Sequence, residues 1–201
     1  MYTNCAATLY NGYVVGGAQK YQRTALIAVE WENQKASAVI KSGMLAADSA
    51  VIYVPLSLGA NYVKPIAFLA TTILTGTTTI NSKVITGLSS TAGLLAGMAI
   101  TGTGIGAGSV IATVDSLTQV TGTVNSTATG AVSLTFYSGR YGKFTLQVGD
   151  YIVKELITDE IGTGFTITNL KAAHDDVVRI SSVDTFDMGS ASMRHWKVSG
   201  Q

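Results

Sequence analysis

Apolar and polar side chains alternate with a period of two over much of this chain, and helical spacing is rare. Val132, Leu134 and Phe136 fall on one face while Ser133, Thr135 and Tyr137 fall on the other, the pattern of a half-buried strand. Near the end, Arg194, Trp196 and Val198 share one face, and Met193, His195 and Lys197 share the opposite one. Further β-branched and aromatic runs, broken by Gly, Asn, Asp or Ser, predict strands: "YQRTALIAVEWEN" (21–33), "SAVIYVPL" (49–56), "GDYIVKELI" (149–157), "DVVRISSVD" (176–184) and "SMRHWKVSG" (192–200). In the middle, "TTINSKVIT" (78–86), "GSVIATVD" (108–115) and "TQVTGTVN" (118–125) have the same character. Only "TNLKAAHDD" (168–176) reads as a helix, about two turns long, with Thr168 or Asn169 as its N-cap. The pattern predicts a mainly all-β fold with at most one short helix.

Charge divides the chain. Between Thr71 and Tyr137 only Lys83 and Asp115 are charged, and the segment is built from Thr, Gly, Ser, Ala, Val, Ile and Leu. So sharp a change at both ends predicts a module, residues 71–137, inserted in a loop of a host domain made of residues 1–70 and 138–201. Four or five short strands joined by Gly-rich turns would make the insert a small β-sandwich or barrel. The net charge of the 201 residues is +1, and no basic cluster stands out, so strong nucleic-acid or anionic-lipid binding is not expected. The N-terminal "MYTNCAATLYNGY" lacks the basic and apolar regions of a signal peptide. The best apolar run, "AGLLAGMAI" (92–100), is far shorter than the roughly 20 residues of a membrane helix. A soluble protein with no membrane partner is the expectation.

The glycine-rich "GTGIGAG" (102–108) invites a phosphate-binding reading and fails it. No lysine follows, as a Walker loop requires, and "SVIATVD" after it is strand-like where a dinucleotide fingerprint needs a helix. Its glycines read as turns. His174, Asp175 and Asp176 are adjacent, so on a helix they diverge and do not converge on one metal ion. "DTFDMGS" (184–190) lacks the oxygen ladder of a calcium loop. No G-x-S-x-G elbow is present, and the acidic pairs Asp159–Glu160 and Asp175–Asp176 read as solvated loop. Cys5, the single cysteine, cannot form an intrachain disulfide and reads as a small buried hydrophobe. No catalytic residue, metal ligand or cofactor site is therefore expected, and the chain is not expected to be an enzyme. Trp31 and Trp196 read first as core residues. Trp31, with the run Arg194, His195 and Trp196, is also the candidate interface, because aromatics and Arg anchor such surfaces.

The outer pieces resemble small phage proteins of the minor capsid and head–tail connector type, the head-completion or stopper proteins. The resemblance is carried by "YTNCAATLYN" (2–11), "VEWEN" (29–33), "VIKSGMLAADSAVIYVPL" (39–56), "GDYIVKELITDEI" (149–161) and "ISSVDTFDMGSASMRHWKVSGQ" (180–201). Related chains tend to have Gly after "YIVK", where this one has Glu155. The middle, "TTTINSKVITGLSSTAGLLAGMAITGTGIGAGSVIATVDSLTQVTGTVNSTATG" (77–130), is similar to a β-repeat found in phage tail, fibre and decoration proteins. The first likeness implies a small β-barrel that assembles as a six- or twelve-fold homo-oligomeric ring in the virion neck. It implies neighbours on a portal or adaptor side and on a tail side, and non-specific contact with packaged DNA in the channel. Assembly would take place in the host cytoplasm. Two alternatives stand beside it: another virion structural part, such as a head decoration, tail or baseplate component, and a carbohydrate-binding adhesion module. The insert has no Trp and only Phe136 and Tyr137 as aromatics, a poor platform for sugars.

Overall fold

A computed structural model describes residues 3–15, 17–40 and 43–201. The protein is mainly β, and its chain divides into two compact units, Met1–Pro65 with Phe144–Gln201 and Ile66–Lys143.

The outer unit holds six strands: β1 (Cys5–Val15), β2 (Ala18–Ile40), β3 (Gly43–Pro55), β10 (Tyr151–Val153), β11 (Val177–Phe186) and β12 (His195–Gly200). They pair in the order β1–β10–β11–β12–β3–β2, and β2 returns to β1, so the ladder closes into a barrel. Closure depends on β2. Its first part, Ala18 to Val29, pairs with β1, and its second part, Glu30 to Ile40, pairs with β3. A β-bulge lies at the handover. Ala7 faces Leu26 and Cys5 faces Val29, so β2 carries one residue more than β1. The extra residue resets the alternation and lets Leu26, Val29 and Trp31 all point into the barrel. A second bulge between Ile180 and Ser182 does the same for Ile180 and Val183 on β11. The core also takes Ala7, Leu9, Ile52, Val54, Ile152, Trp196 and Val198.

A smaller apolar layer covers β1 from outside. Tyr10, Val153, Ile157 and Leu170 form it, with Tyr21, Tyr151, Phe165 and Val177 packed around them. Two short α-helices are present among the described residues, α1 (Pro65–Phe68) and α2 (Ile167–Ala173); Leu170 lies on α2, which starts earlier than the sequence suggests. Its N-cap is Thr166, not Thr168 or Asn169. Thr166 Oγ1 accepts from the Asn169 amide at 3.3 Å, and Asn169 Oδ1 accepts from the Thr166 amide at 2.9 Å. The run expected as a strand over 149–157 is a strand only at Tyr151–Val153. Beyond it, Thr8 on β1 takes the backbone off the ladder: its hydroxyl donates to the Glu155 carbonyl (2.6 Å) and accepts from the Ile157 amide (3.0 Å).

The second unit holds two three-stranded sheets. One orders β4 (Thr72–Thr78), β9 (Gly130–Phe136) and β6 (Ile100–Gly102); the other orders β5 (Val84–Ile85), β8 (Gln119–Gly122) and β7 (Ile111–Ser116). Single bridges, Thr77 to Thr86 and Ala99 to Val110, join the sheets at both margins. Between them lies one core of Ile85, Leu88, Leu94, Met98, Ile100, Ile111, Val120, Leu134 and Phe136. The strand expected over 78–86 is split by a turn in which Asn81 takes a positive φ of 63°. The glycine run supplies turns, with Gly104 and Gly108 at φ of 77° and 74°.

The ends of this unit are held side by side. Thr72 pairs with Phe136, and the Gly139 amide donates to the Ala70 carbonyl at 3.1 Å. A Cβ on Gly139 would lie 2.0 Å from the Ala67 carbonyl oxygen and 3.0 Å from that of Phe68. Backbone cannot yield as a flexible side chain does. Gly139→Ala is therefore expected to cost about 3 kcal/mol, at the upper end for overpacking. Differential scanning calorimetry checks this, and an unchanged transition would contradict it.

Candidate functional site

The four candidate interface residues separate into two pairs. Trp31 and Trp196 are buried in the barrel core. Alternation of β2 and β12 turns both rings inward, where the indole of Trp196 lies 4.5 Å from the Tyr62 ring and Trp31 Nε1 donates to Asn33 Oδ1 at 2.5 Å. As an exposed surface the tryptophans are thus excluded. Arg194 is exposed, just before β12, and His195 is half-buried on the outer face of the barrel.

These two close the β11–β12 connection. Arg194 Nε donates to the Gly189 carbonyl (3.3 Å), and His195 Nδ1 donates to the Met193 carbonyl (2.8 Å). Across the ladder His195 faces Phe186, and their rings stack at 5.1 Å. Tyr53 of β3 meets His195 edge-on at 5.3 Å. Its hydroxyl donates to Glu32 at 3.4 Å, and burial followed by the Glu32 charge raises the Tyr53 pKa. Phe186, Met188 and Met193 stand out from this rim, 48%, 85% and 62% exposed. Aromatic, Met and Arg side chains are those enriched where proteins meet. The sequence held the signal in "FDMGSASM" (186–193), three large apolar residues in a connection otherwise of small and acidic ones.

A second cluster lies beside α2. His174 caps the helix C-terminus, and both ring nitrogens meet carboxylates: Nδ1 is 2.5 Å from Glu155 Oε1 and Nε2 is 3.1 Å from Asp159 Oδ2. Burial alone would lower the His174 pKa, but the hydrogen bonds and charges of Glu155 and Asp159 outweigh it and raise the value. Glu160 pairs with Arg23 at 2.7 Å, and Asp176 with Lys154 at 3.5 Å. Of the acids expected as plain solvated loop, Asp159, Glu160 and Asp176 are therefore tied to partners that other elements supply, while Asp175 is exposed. Tyr10 on β1 donates to the Asp159 carbonyl at 2.7 Å, and burial, then Asp159, pushes its phenol up to about 12. Cys5 is half-buried against the barrel core, and burial raises its thiol pKa. Among the described residues no group of three or more His, Cys, Asp or Glu is arranged to hold a metal ion, and no helix is long and apolar enough to cross a membrane.

What these arrangements offer is apolar area at a rim and an ion-paired clasp on a connecting segment. No curated protein and no solved structure matches the chain. A family model matches residues 2–91 and 119–201, passing over the stretch that holds β6 and β7, and the chain belongs to that family, a family of unknown function (DUF6751).

Proposed function

We propose that this chain is a structural protein of a phage virion, a ring-forming head–tail connector component of the stopper type that joins the portal–adaptor side to the tail and helps retain packaged DNA. The reading rests on the resemblance of the outer pieces to such proteins. The observation that carries the assembly part of it is the β2–β3 hairpin. The barrel partners of β3 end at Ala50, yet β2 and β3 go on pairing from Lys35–Asp48 to Ile40–Gly43. Six further pairs, each rising about 3.3 Å, make an arm about 20 Å long. Lys35–Ile40 and Gly43–Asp48 find their ladder partners only in each other among the described residues. Eight of those twelve residues are Ala, Val, Ile, Leu or Met. A two-stranded ribbon is marginal alone in water and gains stability when another surface covers its edges. On this reading the cover is a neighbouring copy in the ring, and the chain performs no covalent chemistry.

Electron microscopy and light scattering of the purified full chain test the proposal. Six- or twelve-fold rings are expected, and the same rings at the neck of intact virions. A chain with residues 35–48 replaced by a tight turn is expected to keep its β-type circular dichroism and lose the rings. A full chain that stays monomeric at high micromolar concentration, or copies scattered over the capsid shell, would overturn it.

A further inference from the structure

We infer that His174 is a proton-operated latch on the segment 154–161, closed when the imidazole is charged and opened when it is neutral. The inference rests on the clasp geometry and is independent of the ring proposal. A neutral imidazole has one N–H donor and one acceptor lone pair. Here both nitrogens face carboxylate oxygens, Glu155 Oε1 on one side and Asp159 Oδ2 on the other. Only the imidazolium satisfies both. Once it loses a proton, one nitrogen presents a lone pair to an anionic oxygen, and that contact turns repulsive.

The latch sits where it has leverage. Glu155 and Asp159 bracket Ile157, which is buried in the apolar layer with Tyr10, Val153 and Leu170, and Ile161 at the end of the segment packs against the same layer. His174 is fixed from the other side, because its amide donates to the Leu170 carbonyl at 3.1 Å as the C-cap of α2. A positive charge at that helix end is also favourable. One side chain thus ties the segment to the helix that covers the same layer. Other ties hold the same segment. Thr8 bonds the backbone at Glu155 and Ile157, Tyr10 donates to the Asp159 carbonyl, and Arg23 holds Glu160 and the Ile157 carbonyl. Lys154 and Asp176 pair with one another, Lys171 lies over the Tyr151 ring, and Asp175 follows the cap. Of the groups around the clasp, His174 is the one whose ordinary titration range is near neutral.

The sign follows from the direction of the shift. His174 has its pKa raised in the folded protein, so its contribution is complete below the ordinary value of 6.5 and is lost as pH rises through the folded value. The segment should loosen on going to alkaline pH, with Ile157 and the layer beneath it losing cover.

Hydrogen exchange of the full chain tests this, with rates corrected for intrinsic pH dependence. Between about pH 6 and about pH 8.5, protection of the amides at 155–161 is expected to fall by roughly tenfold, while amides of β3 and β12 keep theirs. His174→Gln is expected to show the lower protection at both pH values with no dependence. Glu155→Gln is expected to move the midpoint to lower pH, read on the His174 ring signals by NMR. The β3 and β12 amides report whether each variant is folded. Equal protection of 155–161 at both pH values in the unaltered chain, or the same pH dependence in His174→Gln, would overturn the latch.

Discussion

Trp196→Ala is expected to lower the unfolding free energy of the outer unit by about 3–5 kcal/mol, the usual range for removing a large buried aromatic. Trp196 is only 6% exposed and sits mid-barrel, paired with Val54 on β3 and Thr185 on β11. Its ring packs on Tyr62, and Gly59 approaches so closely that a Cβ there would lie 3.1 Å from the indole edge. The neighbours thus include a tilted aromatic ring and a backbone turn, neither of which can collapse fully into the space. Urea unfolding followed by circular dichroism measures the loss, with Trp31 as the remaining fluorophore. A residue serving only as an interface anchor would behave differently: the midpoint would hold and assembly alone would fail. Trp196→Phe, which keeps an aromatic ring in the same site, is expected to lose less.

Much of the β architecture could be read in advance because alternation is a local property. The face holding Trp196 and Val198, and the face holding Leu134 and Phe136, are both set by a period of two with one side buried. The bulge could not be read. A strict alternation that buries Leu26 puts Val29 outside, and only pairing with β1 shows that β2 gains a residue there. The length of β2 was hidden for a related reason, since Gln34 to Ile40 pair with Gly43 to Ser49, later in the chain. The candidate site was legible in part. The sequence names Arg194 and His195 as candidates, but Tyr53 and Phe186 reach His195 across two ladders that sequence distance conceals. The His174 clasp was missed because its partners lie 19 and 15 residues earlier, brought back by a segment whose path Thr8 and Tyr10 decide.

Asp150 shows the same limit at its strongest, and its removal should be the second large effect. It is 2% exposed, and every bond the carboxylate accepts comes from a neutral donor: Asn11 Nδ2 at 2.6 Å, the Gly12 amide at 2.8 Å and Gln147 Nε2 at 3.1 Å. Asn11, itself fully buried, also donates to the Thr145 carbonyl and accepts from the Thr145 amide. The carboxylate therefore anchors the β1–β2 hairpin to the chain that leads into β10. Asp150→Ala would leave buried donors without an acceptor, at about 1–3 kcal/mol for each one that water cannot reach, so a loss of about 2–5 kcal/mol is expected. Its pH dependence has a definite sign. Burial raises the Asp150 pKa more than the three donors lower it. A raised folded value means that Asp150 stabilises most when protonated, below its ordinary value of 3.8, and that part of this is lost as pH rises through the folded value. The cost of Asp150→Ala should accordingly be larger near pH 3 than near pH 7, as urea unfolding at the two conditions will measure. A cost that instead grew with pH would mean that the donors from Asn11, Gly12 and Gln147 outweigh burial, and that the site is built for the charged carboxylate.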